Sequence, residues 1–387
     1  MMKVQLLNKI AAVGTDKLDK AVYDIAADME NPDAIMVRSA AMHDMAFGDN
    51  LKAIARAGAG VNNIPIDRCS EQGIVVFNTP GANANGVKEL AICALLLASR
   101  NIVGGIKWAE SLQGTEGVAK AVEAGKSKFA GCEIAGKTLG VVGLGAIGGM
   151  VADIATSLKM DVVGCDPFIS IAGAWHLNNR VAQAKSYDEI YAVADYITLH
   201  VPATPDTKNM INAESIAKMK DGVKIINLSR ADLVDAEAVK AGLASGKISA
   251  YVTDFPTEDI LGVDGVVAIP HLGASTEESE DNCAVMAAVE LDEYLRYGNI
   301  KNSVNFPNVE MPMSTDVRVC VLHANVPAVL SQLTSVLSAE GINIEHLTNK
   351  SKGNNAYTVL DISAAPAEDA VAKLAAVSGV YRGRVIQ

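Results

Sequence analysis

The stretch Thr138-Leu139-Gly140-Val141-Val142-Gly143-Leu144-Gly145-Ala146-Ile147-Gly148 decides the fold of this chain of 387 residues. Its opening run, Thr138–Val142, is typical of a buried strand, and the glycines that follow have the Gly-x-Gly-x-x-Gly spacing. Gly143 permits a tight turn, Gly145 lets a pyrophosphate approach the backbone, and Gly148 lets a helix pack on the strand. The pattern therefore predicts a strand, a phosphate-binding turn, and a helix whose N-terminus supplies amides to the phosphates.

Asp166 is a candidate for the carboxylate that binds the ribose in a dinucleotide site of this kind. Asp166 comes at the end of the next apolar run, which begins at Asp161. An acid at this position accepts hydrogen bonds from the adenosine ribose hydroxyls and repels a 2′-phosphate. The cofactor is therefore expected to be NAD rather than NADP.

Short apolar runs alternate with helical stretches on both sides of this motif, which indicates parallel β/α units. The other candidate strands are Val4–Leu7, Ala34–Val37, Ala53–Ala55, Val75–Phe77, Asp161–Gly164, Tyr196–Leu199, Val223–Leu228, Ser249–Val252 and Val266–Ile269. The predicted fold class is α/β, with two doubly wound parallel-sheet (Rossmann-like) domains and a cleft. A long helix over Thr276–Tyr297 is expected to return the chain to the first domain.

Three domains are predicted. A discontinuous substrate-binding domain takes residues 1–95 and 276–305, and the cofactor-binding domain takes residues 96–275. Residues 316–387 follow a polar linker and form a third domain. Its order of strand, helix, strand, strand, helix, strand predicts a ferredoxin-like βαββαβ plan that is used for sensing small molecules.

Composition and charge narrow the class of function. The formal net charge of −12 and the lack of a basic run argue against a nucleic-acid partner. No apolar run has the roughly 18 residues of a membrane-spanning helix, and Met1–Val4 lacks the layout of a signal peptide. Six scattered cysteines without a Cys-x-x-Cys predict a reducing, cytoplasmic location, and the histidine spacing predicts no metal site.

Three polar residues near the ends of candidate strands are candidate catalytic residues. Glu258 and His271 each follow a short apolar run. A carboxylate–imidazole pair is an acid–base device, because the carboxylate raises the imidazole pKa and fixes its tautomer. Arg230 ends another run and offers a guanidinium that can clamp a carboxylate. Ligands of parallel sheets bind beyond the carboxyl ends of the strands, so these residues predict hydride transfer between a nicotinamide and a small 2-hydroxy or 2-keto acid.

Motifs along nearly the whole chain resemble those of the D-isomer-specific 2-hydroxyacid dehydrogenases. Besides the glycine motif, the matching stretches are Val37-Arg38-Ser39-Ala40, Arg56-Ala57-Gly58-Ala59-Gly60-Val61-Asn62-Asn63, Asn78-Thr79-Pro80, His200-Val201-Pro202, Asn227-Leu228-Ser229-Arg230, Phe255-Pro256-Thr257-Glu258 and Pro270-His271-Leu272-Gly273-Ala274-Ser275-Thr276. The resemblance implies that His271 takes the proton of the substrate hydroxyl and that Glu258 pairs with His271. It also implies that Arg230 holds the substrate carboxylate and polarises the developing carbonyl.

The resemblance also assigns the binding residues. Those expected at the cofactor are Gly143, Gly145, Ala146, Ile147, Gly148, Asp166, Val201, Pro202, Leu228, Ser229, Asp254 and Gly273. Those expected at the substrate are Arg38, Ser39, Arg56, Gly58, Ala59, Gly60 and Lys88. The chain departs from the family pattern at Asp254, whose loop is one residue off the commoner Asp-Val-Phe-Pro, and at Ala146 and Ala231, where Arg and Gly are frequent.

Arg38, Arg56 and Lys88 are candidate partners for a phosphate group. They favour a phosphorylated hydroxy acid as the substrate. With the resemblance, this implies oxidation of D-3-phosphoglycerate to 3-phosphohydroxypyruvate with NAD, the first step of L-serine biosynthesis. Two alternatives stay open. One is a family member that acts on glyoxylate, hydroxypyruvate or lactate, and the other is a non-catalytic protein that uses the fold to sense NAD.

The C-terminal domain resembles the ACT domain. His323, Asn325 and Asn343 match the serine-binding pattern of such domains, so L-serine is an expected effector, with a purely dimerising role or no effector response as the alternatives. The expected assembly is a homodimer or homotetramer.

Overall fold

The N-terminal segment of the computed structural model, which describes every residue from Met1 to Gln387, folds into a parallel α/β sheet. Its strands are ordered β2-β1-β3-β4-β5. The inner strands β3 and β4 are buried apolar runs, as expected for parallel strands that are covered on both faces. The elements are β1 (Met2–Leu7), α1 (Ala12–Thr15), β2 (Tyr23–Ala26), β3 (Ala34–Val37), β4 (Ala53–Arg56), α2 (Ile66–Glu71) and β5 (Val75–Phe77).

The central segment forms a second parallel sheet with the order β12-β11-β10-β9-β6-β7-β8. The strand order reverses direction between β6 and β9, and the crevice at such a switch point is where ligands of this architecture bind. The elements are α3 (Ala84–Ser99), α4 (Ile102–Ser111), α5 (Val118–Gly125), β6 (Thr138–Val142), α6 (Ala146–Ser157), β7 (Asp161–Cys165), α7 (Ile171–His176), β8 (Val181–Gln183), α8 (Tyr187–Val193), β9 (Tyr196–Leu199), α9 (Ala213–Lys218), β10 (Val223–Asn227), α10 (Ala236–Ser245), β11 (Ile248–Thr253) and β12 (Val266–Ala268).

The C-terminal segment starts with a long helix and ends in an antiparallel sheet. The sheet order is β14-β15-β13-β16, so the βαββαβ plan expected from the sequence is present. The elements are α11 (Glu277–Tyr297), β13 (Val317–Ala324), α12 (Val329–Ala339), β14 (Ile344–Lys352), β15 (Asn355–Ile362), α13 (Glu368–Ala375) and β16 (Val380–Ile386).

The chain divides into two units. Unit 1 comprises Met1–Asn83 and Glu277–Gln387, and unit 2 comprises Ala84–Thr276. The chain therefore leaves unit 1 once and returns through α11, which packs on α1 and β4. The fold class predicted from the sequence, two Rossmann-like sheets and a small antiparallel sheet, is confirmed. The edge strands β2 and β8 were not predicted from the sequence.

The antiparallel sheet is part of the unit 1 core. Val319 and Val321 of β13 pack with α12 and α13, whereas Cys320 and Leu322 belong to the same apolar cluster as Val4, Phe77 and Tyr294. Strand β13 is thus buried on both faces.

None of the helices by itself combines the length and apolar character needed to cross a bilayer. The pair α3 and α4 meets that criterion only when the two are taken together, across a bend of 68°.

Candidate active site

The glycine turn of unit 2 is shaped for a close backbone approach. Gly143 has φ 89°, a left-handed conformation that favours glycine. A side chain at Gly148 would collide with the carbonyl of Gly143, whereas nothing lies within 4 Å of a side chain built at Gly145. Helix α6 begins immediately after Gly145. The turn is therefore tight where helix and strand meet, and open where a pyrophosphate needs room.

Asp166 directly follows β7 beside this turn. Its two oxygens accept hydrogen bonds from the amides of Leu144 (2.9 Å) and Phe168 (2.9 Å). A carboxylate has about four acceptor positions, so this anchored side chain keeps capacity for ribose hydroxyls. The residues around the turn fit a dinucleotide cofactor.

His200 lies behind the turn and is held neutral. Its Nε2 hydrogen-bonds Thr198 Oγ1 at 2.9 Å, and its backbone carbonyl lies where a side chain at Gly143 would be. Burial lowers the pKa of His200 to about 4. The next residues, Val201 and Pro202, continue at the same end of β9.

Arg230 is exposed at the end of β10. Its Nη1 donates to the carbonyl of Ser229 at 2.7 Å, and its own carbonyl accepts from the buried Asn227 at 2.8 Å. Ser229 in turn donates from its Oγ to the carbonyl of Leu199 (2.6 Å). The backbone that carries the guanidinium is thus fixed, while most of its donors face solvent.

Asp254 is the least satisfied polar group of unit 2. It follows β11, is 1% exposed, and neither carboxylate oxygen has a partner in good hydrogen-bond geometry. Burial raises its pKa, while the charge of His271, the nearby backbone amide of Gly273 and the charge of Arg230 act in the opposite direction. These three residues therefore lie close enough to influence one another. An orphaned acceptor here fits the carboxamide of a bound nicotinamide.

His271 is exposed two residues beyond Ile269, whose amide bonds the carbonyl of Thr253 (2.9 Å). The ring of Phe255 packs against its imidazole, with centroids 4.6 Å apart. Glu258 is also exposed, and it makes no ion pair with His271 in this structure. The structure brings His271 together with Asp254 and Phe255 instead. The role of Glu258 stays a prediction.

Two arginines lie side by side on unit 1. Val37 of β3 and Arg56 of β4 are neighbours in register, and Arg56 Nε donates to the carbonyl of Arg38 at 3.1 Å. Arg38 also pairs with Glu280 of α11 at 2.5 Å. Both side chains of that pair are 43% exposed, so an anionic ligand can compete for the guanidinium.

The backbone beside these arginines is held by asparagines that the sequence analysis did not single out. Asn8, at φ 81°, accepts the amides of residues 38–40 on its Oδ1, and Asn78 donates to the carbonyl of Ala59 at 2.6 Å. The amides of Ala59 and Gly60 have no acceptor. Gly58 has φ 153°, and a side chain there would collide with Arg56. Two adjacent amides of this kind are chemically suited to an anion. A sequence signal for Asn8 was its position directly after β1.

Lys88 lies in unit 2, on α3, and is engaged locally. Its Nζ donates to Asn85 Oδ1 at 2.6 Å and lies 3.7 Å from a carboxylate oxygen of Glu89. Ser39 is exposed on unit 1 beside Arg38.

A cavity of 480 Å³ in the antiparallel sheet contains two of the three residues expected at an effector. His323 is buried, and its Nε2 hydrogen-bonds Thr358 Oγ1 at 2.9 Å, while Asn325 donates to the carbonyl of Gly353 at 3.1 Å. Asn343 does not line this cavity and bonds Glu345 at 2.7 Å. Ala328, at φ 69°, places its methyl in the lining.

Comparison with known proteins identifies the family. Residues 93–273 match the family described as D-isomer specific 2-hydroxyacid dehydrogenase, NAD binding domain. The chain is 33% identical over 353 residues to D-3-phosphoglycerate dehydrogenase of Escherichia coli strain K12, which covers 87% of this chain and 82% of that one. The chain therefore belongs to the D-isomer-specific 2-hydroxyacid dehydrogenase family, and its cofactor is NAD.

Two further similarities agree with that assignment. The chain is 35% identical over 328 residues to D-3-phosphoglycerate dehydrogenase of Synechocystis sp., covering 80% of this chain and 57% of that one. An NAD⁺-bound 3-phosphoglycerate dehydrogenase of Entamoeba histolytica has a TM-score of 0.61 at 28% identity, covering 79% of this chain and 98% of that one. The matches to relatives from Synechocystis, Methanocaldococcus jannaschii and Archaeoglobus fulgidus span 57%, 49% and 54% of their lengths, so the chain spans about half of each.

Proposed function

We propose that this protein oxidises D-3-phosphoglycerate to 3-phosphohydroxypyruvate with NAD, and so supplies the first step of L-serine biosynthesis. The observation that carries the proposal is the cluster of Arg230, Asp254 and His271 at the carboxyl ends of the unit 2 strands, in the domain whose glycine turn fits a dinucleotide. Family membership and relatives named as D-3-phosphoglycerate dehydrogenases support the same reaction.

The proposed roles follow from chemistry. The imidazole of His271 accepts the proton of the C2 hydroxyl as the C2 hydride leaves, and it returns that proton in reduction. Arg230 binds the substrate carboxylate and stabilises the developing carbonyl oxygen. Asp254 accepts a hydrogen bond from the nicotinamide carboxamide and so orients the ring. NAD supplies the hydride acceptor.

The phosphate is assigned to the paired arginines of unit 1. Arg38 and Arg56 carry two positive charges that a single phosphate can share, and the free amides of Ala59 and Gly60 suit a carboxylate. Lys88 is assigned a lesser role, since Asn85 and Glu89 already engage it.

The test compares phosphorylated and unphosphorylated substrates. Arg38→Ala and Arg56→Ala should each lower kcat/KM for reduction of 3-phosphohydroxypyruvate by about tenfold to a hundredfold, the effect of a charge-assisted hydrogen bond. Reduction of hydroxypyruvate should change little. Lys17→Ala, at an exposed lysine of the same unit, is the matched control. An equal loss on both substrates would favour the alternative dehydrogenase for unphosphorylated acids.

The C-terminal sheet is proposed to be an ACT domain that binds L-serine in the 480 Å³ cavity. Asn325 offers its side-chain oxygen to an amino acid, and Ala328 narrows the space beside it. His323 is buried behind them, with both ring nitrogens bonded to Ala324 and Thr358. L-serine should inhibit the wild type, and Asn325→Ala should relieve the inhibition without changing turnover in its absence. A wild type indifferent to L-serine would leave this domain a role in assembly.

A homo-oligomer is proposed from helices α4 and α5. Helix α4 buries no residue and α5 buries only Gly125, and Ile106 is 53% exposed. Such an apolar protrusion suits a second copy of the chain. Ile102→Asp with Ile106→Asp should lower the mass measured by light scattering. The six free cysteines suit a reducing compartment, so a cytoplasmic location is proposed.

A further inference from the structure

A second anion pocket lies on unit 1, away from the arginine pair. It is a cavity of 660 Å³ where the β14–β15 hairpin meets the segments around Asn78 and Asn302. Its lining includes Lys350, Lys352, Ser303 and other polar or apolar residues, but no acid. The pocket therefore carries only cationic charge, although the net charge of the chain is −12, and that local charge favours an anion.

Both lysines lack a carboxylate partner. Lys350 is exposed and makes no ion pair, and Lys352 donates to the carbonyl of Ser303 at 2.8 Å. Lys352 is also exposed, and the partial burial of its ammonium lowers its pKa. An anion in the cavity would supply the counter-charge that both lysines lack.

The other walls offer donors for oxygen atoms. Asn78 and Asn308 contribute side-chain amides, and Ser351 contributes a hydroxyl. The hairpin is held in place by a second contact, from Asn355 to the carbonyl of Asn305 at 2.9 Å. The volume is within the ordinary range for a small-molecule site.

We infer that this pocket binds a small multivalent anion, of the phosphate or polycarboxylate class, between Lys350 and Lys352 of β14 and Asn78. The site is separate from the 480 Å³ cavity, with which it shares no lining residue. Asn78 also holds Ala59, whose turn is the proposed carboxylate site, so an anion here contacts a residue that shapes substrate binding. That coupling rests on the proposed function, whereas binding of the anion does not.

The test is a lysine footprint on the full-length protein, and it uses no enzyme activity. Limited acetylation of amines is measured for each lysine by mass spectrometry, with inorganic phosphate, with citrate, and with neither. Acetylation of Lys350 is expected to slow several-fold with phosphate, while Lys17 is unchanged. Protection by phosphate alone assigns the pocket to phosphate-bearing ligands, and protection by citrate as well assigns it to multivalent anions generally. Equal acetylation of Lys350 in all three samples would overturn the inference.

A second test measures phosphate binding by calorimetry in two matched double variants. Phosphate binding to Lys350→Met with Lys352→Met should lose one site relative to the wild type. Lys17→Met with Lys20→Met removes the same charge from the exposed turns that follow α1 and should keep the wild-type stoichiometry. A loss of the same size in both double variants would mean that net charge alone is responsible, and would contradict a defined site.

Discussion

Two buried acidic residues have carboxylate oxygens without a partner in good hydrogen-bond geometry. Asp254 in unit 2 has no such partner for either oxygen, and Glu290 on α11 has none for Oε2. Burial raises the pKa of both groups. An unpaired carboxylate away from water costs stability, and such cost is retained most often where a group serves a ligand. Asp254 lies in the candidate site, whereas Glu290 lies outside it.

Asp254→Asn should stabilise the protein at neutral pH and weaken NAD binding. Because burial raises the pKa of Asp254, the native state holds its proton longer, and the wild type loses stability as pH rises from the usual Asp range through the raised pKa. The uncharged Asn side chain does not lose stability in this way, so the free energy of unfolding measured in urea should rise by on the order of 1–2 kcal/mol. Asp259→Asn, an exposed neighbour, is the control. An unchanged urea midpoint together with unchanged NAD affinity would refute both roles.

Glu290→Gln should flatten the pH dependence of stability. Burial raises the pKa of Glu290 to about 8, although Asn302 donates to its Oε1 at 2.7 Å. Stability of the wild type should therefore fall between the usual Glu pKa of 4.5 and about 8. The variant should gain about 2 kcal/mol over the wild type on going from mildly acidic to mildly alkaline pH. Urea unfolding at several pH values measures this difference, with Glu310→Gln, at an exposed acid, as the control. If stability depended on pH equally in Glu290→Gln and in the wild type, the raised pKa of Glu290 would be disproved.

At the scale of elements, strands that are buried and apolar could be predicted closely from the sequence. Ala34–Val37 and Thr138–Val142 have the bounds expected. The missed strands, β2 and β8, are edge strands whose short, partly polar sequences carry no continuous apolar run. Tertiary pairing with one neighbour, rather than local pattern, makes them strands.

The site residues that lie just after a strand could be predicted from the sequence. His271, Arg230 and the glycine turn fall in this class. The side-chain contacts of the site residues could not be predicted. Glu280 pairs with Arg38, and Phe255 packs on His271, because folding brings together residues that are distant in sequence or lie in loops. No local pattern marks such contacts.

A buried ion pair links two strands of the C-terminal sheet, and its arginine also bonds the last residue of α11. Arg318 on β13 donates to Asp361 on β15 at 2.6 and 3.0 Å, and its Nη1 donates to the carbonyl of Tyr297 at 2.7 Å. Both charged side chains are fully buried. Burial would raise the pKa of Asp361, but hydrogen bonds from Arg318 and Ser314 outweigh it and the pKa is lowered.

Asp361→Asn should therefore cost about 3–5 kcal/mol, since it leaves a buried guanidinium uncompensated. The matched control is Asp369→Asn, which breaks an exposed pair with Lys373 and should leave the urea midpoint almost unchanged, because solvent screens such a pair. Urea unfolding of both variants measures the difference. Similar midpoints would show that the ion pair contributes little.

At the scale of the whole molecule, the C-terminal sheet completes a core rather than standing alone. Its residues Cys320, Leu322, Tyr357 and Val359 share one apolar cluster with the N-terminal sheet and α11. Arg382 and Arg384 of β16 also donate to carbonyls of Leu51, Leu295 and others in unit 1. The sequence predicted the domain but not this shared core.

Truncation after Met313 should therefore lower the Tm of unit 1 and increase binding of a hydrophobic dye. The expected cause is exposure of the cluster around Tyr294 and Phe306, which the sheet covers. Calorimetry of the truncated and full-length chains makes the comparison. A truncated chain with an unchanged Tm would mean that the sheet is an independent appendage.

The most direct test of the central claim is NADH formation from D-3-phosphoglycerate and NAD, by the wild type and by His271→Ala. The account predicts turnover by the wild type and a loss of about 10²–10⁴-fold in kcat for the variant, with NAD affinity retained. His346→Ala, at an exposed histidine of β14, should behave as the wild type. A wild type that turns over glyoxylate or hydroxypyruvate but not the phosphorylated acid would contradict the proposed substrate. Equal turnover by wild type and His271→Ala would contradict the proposed chemistry.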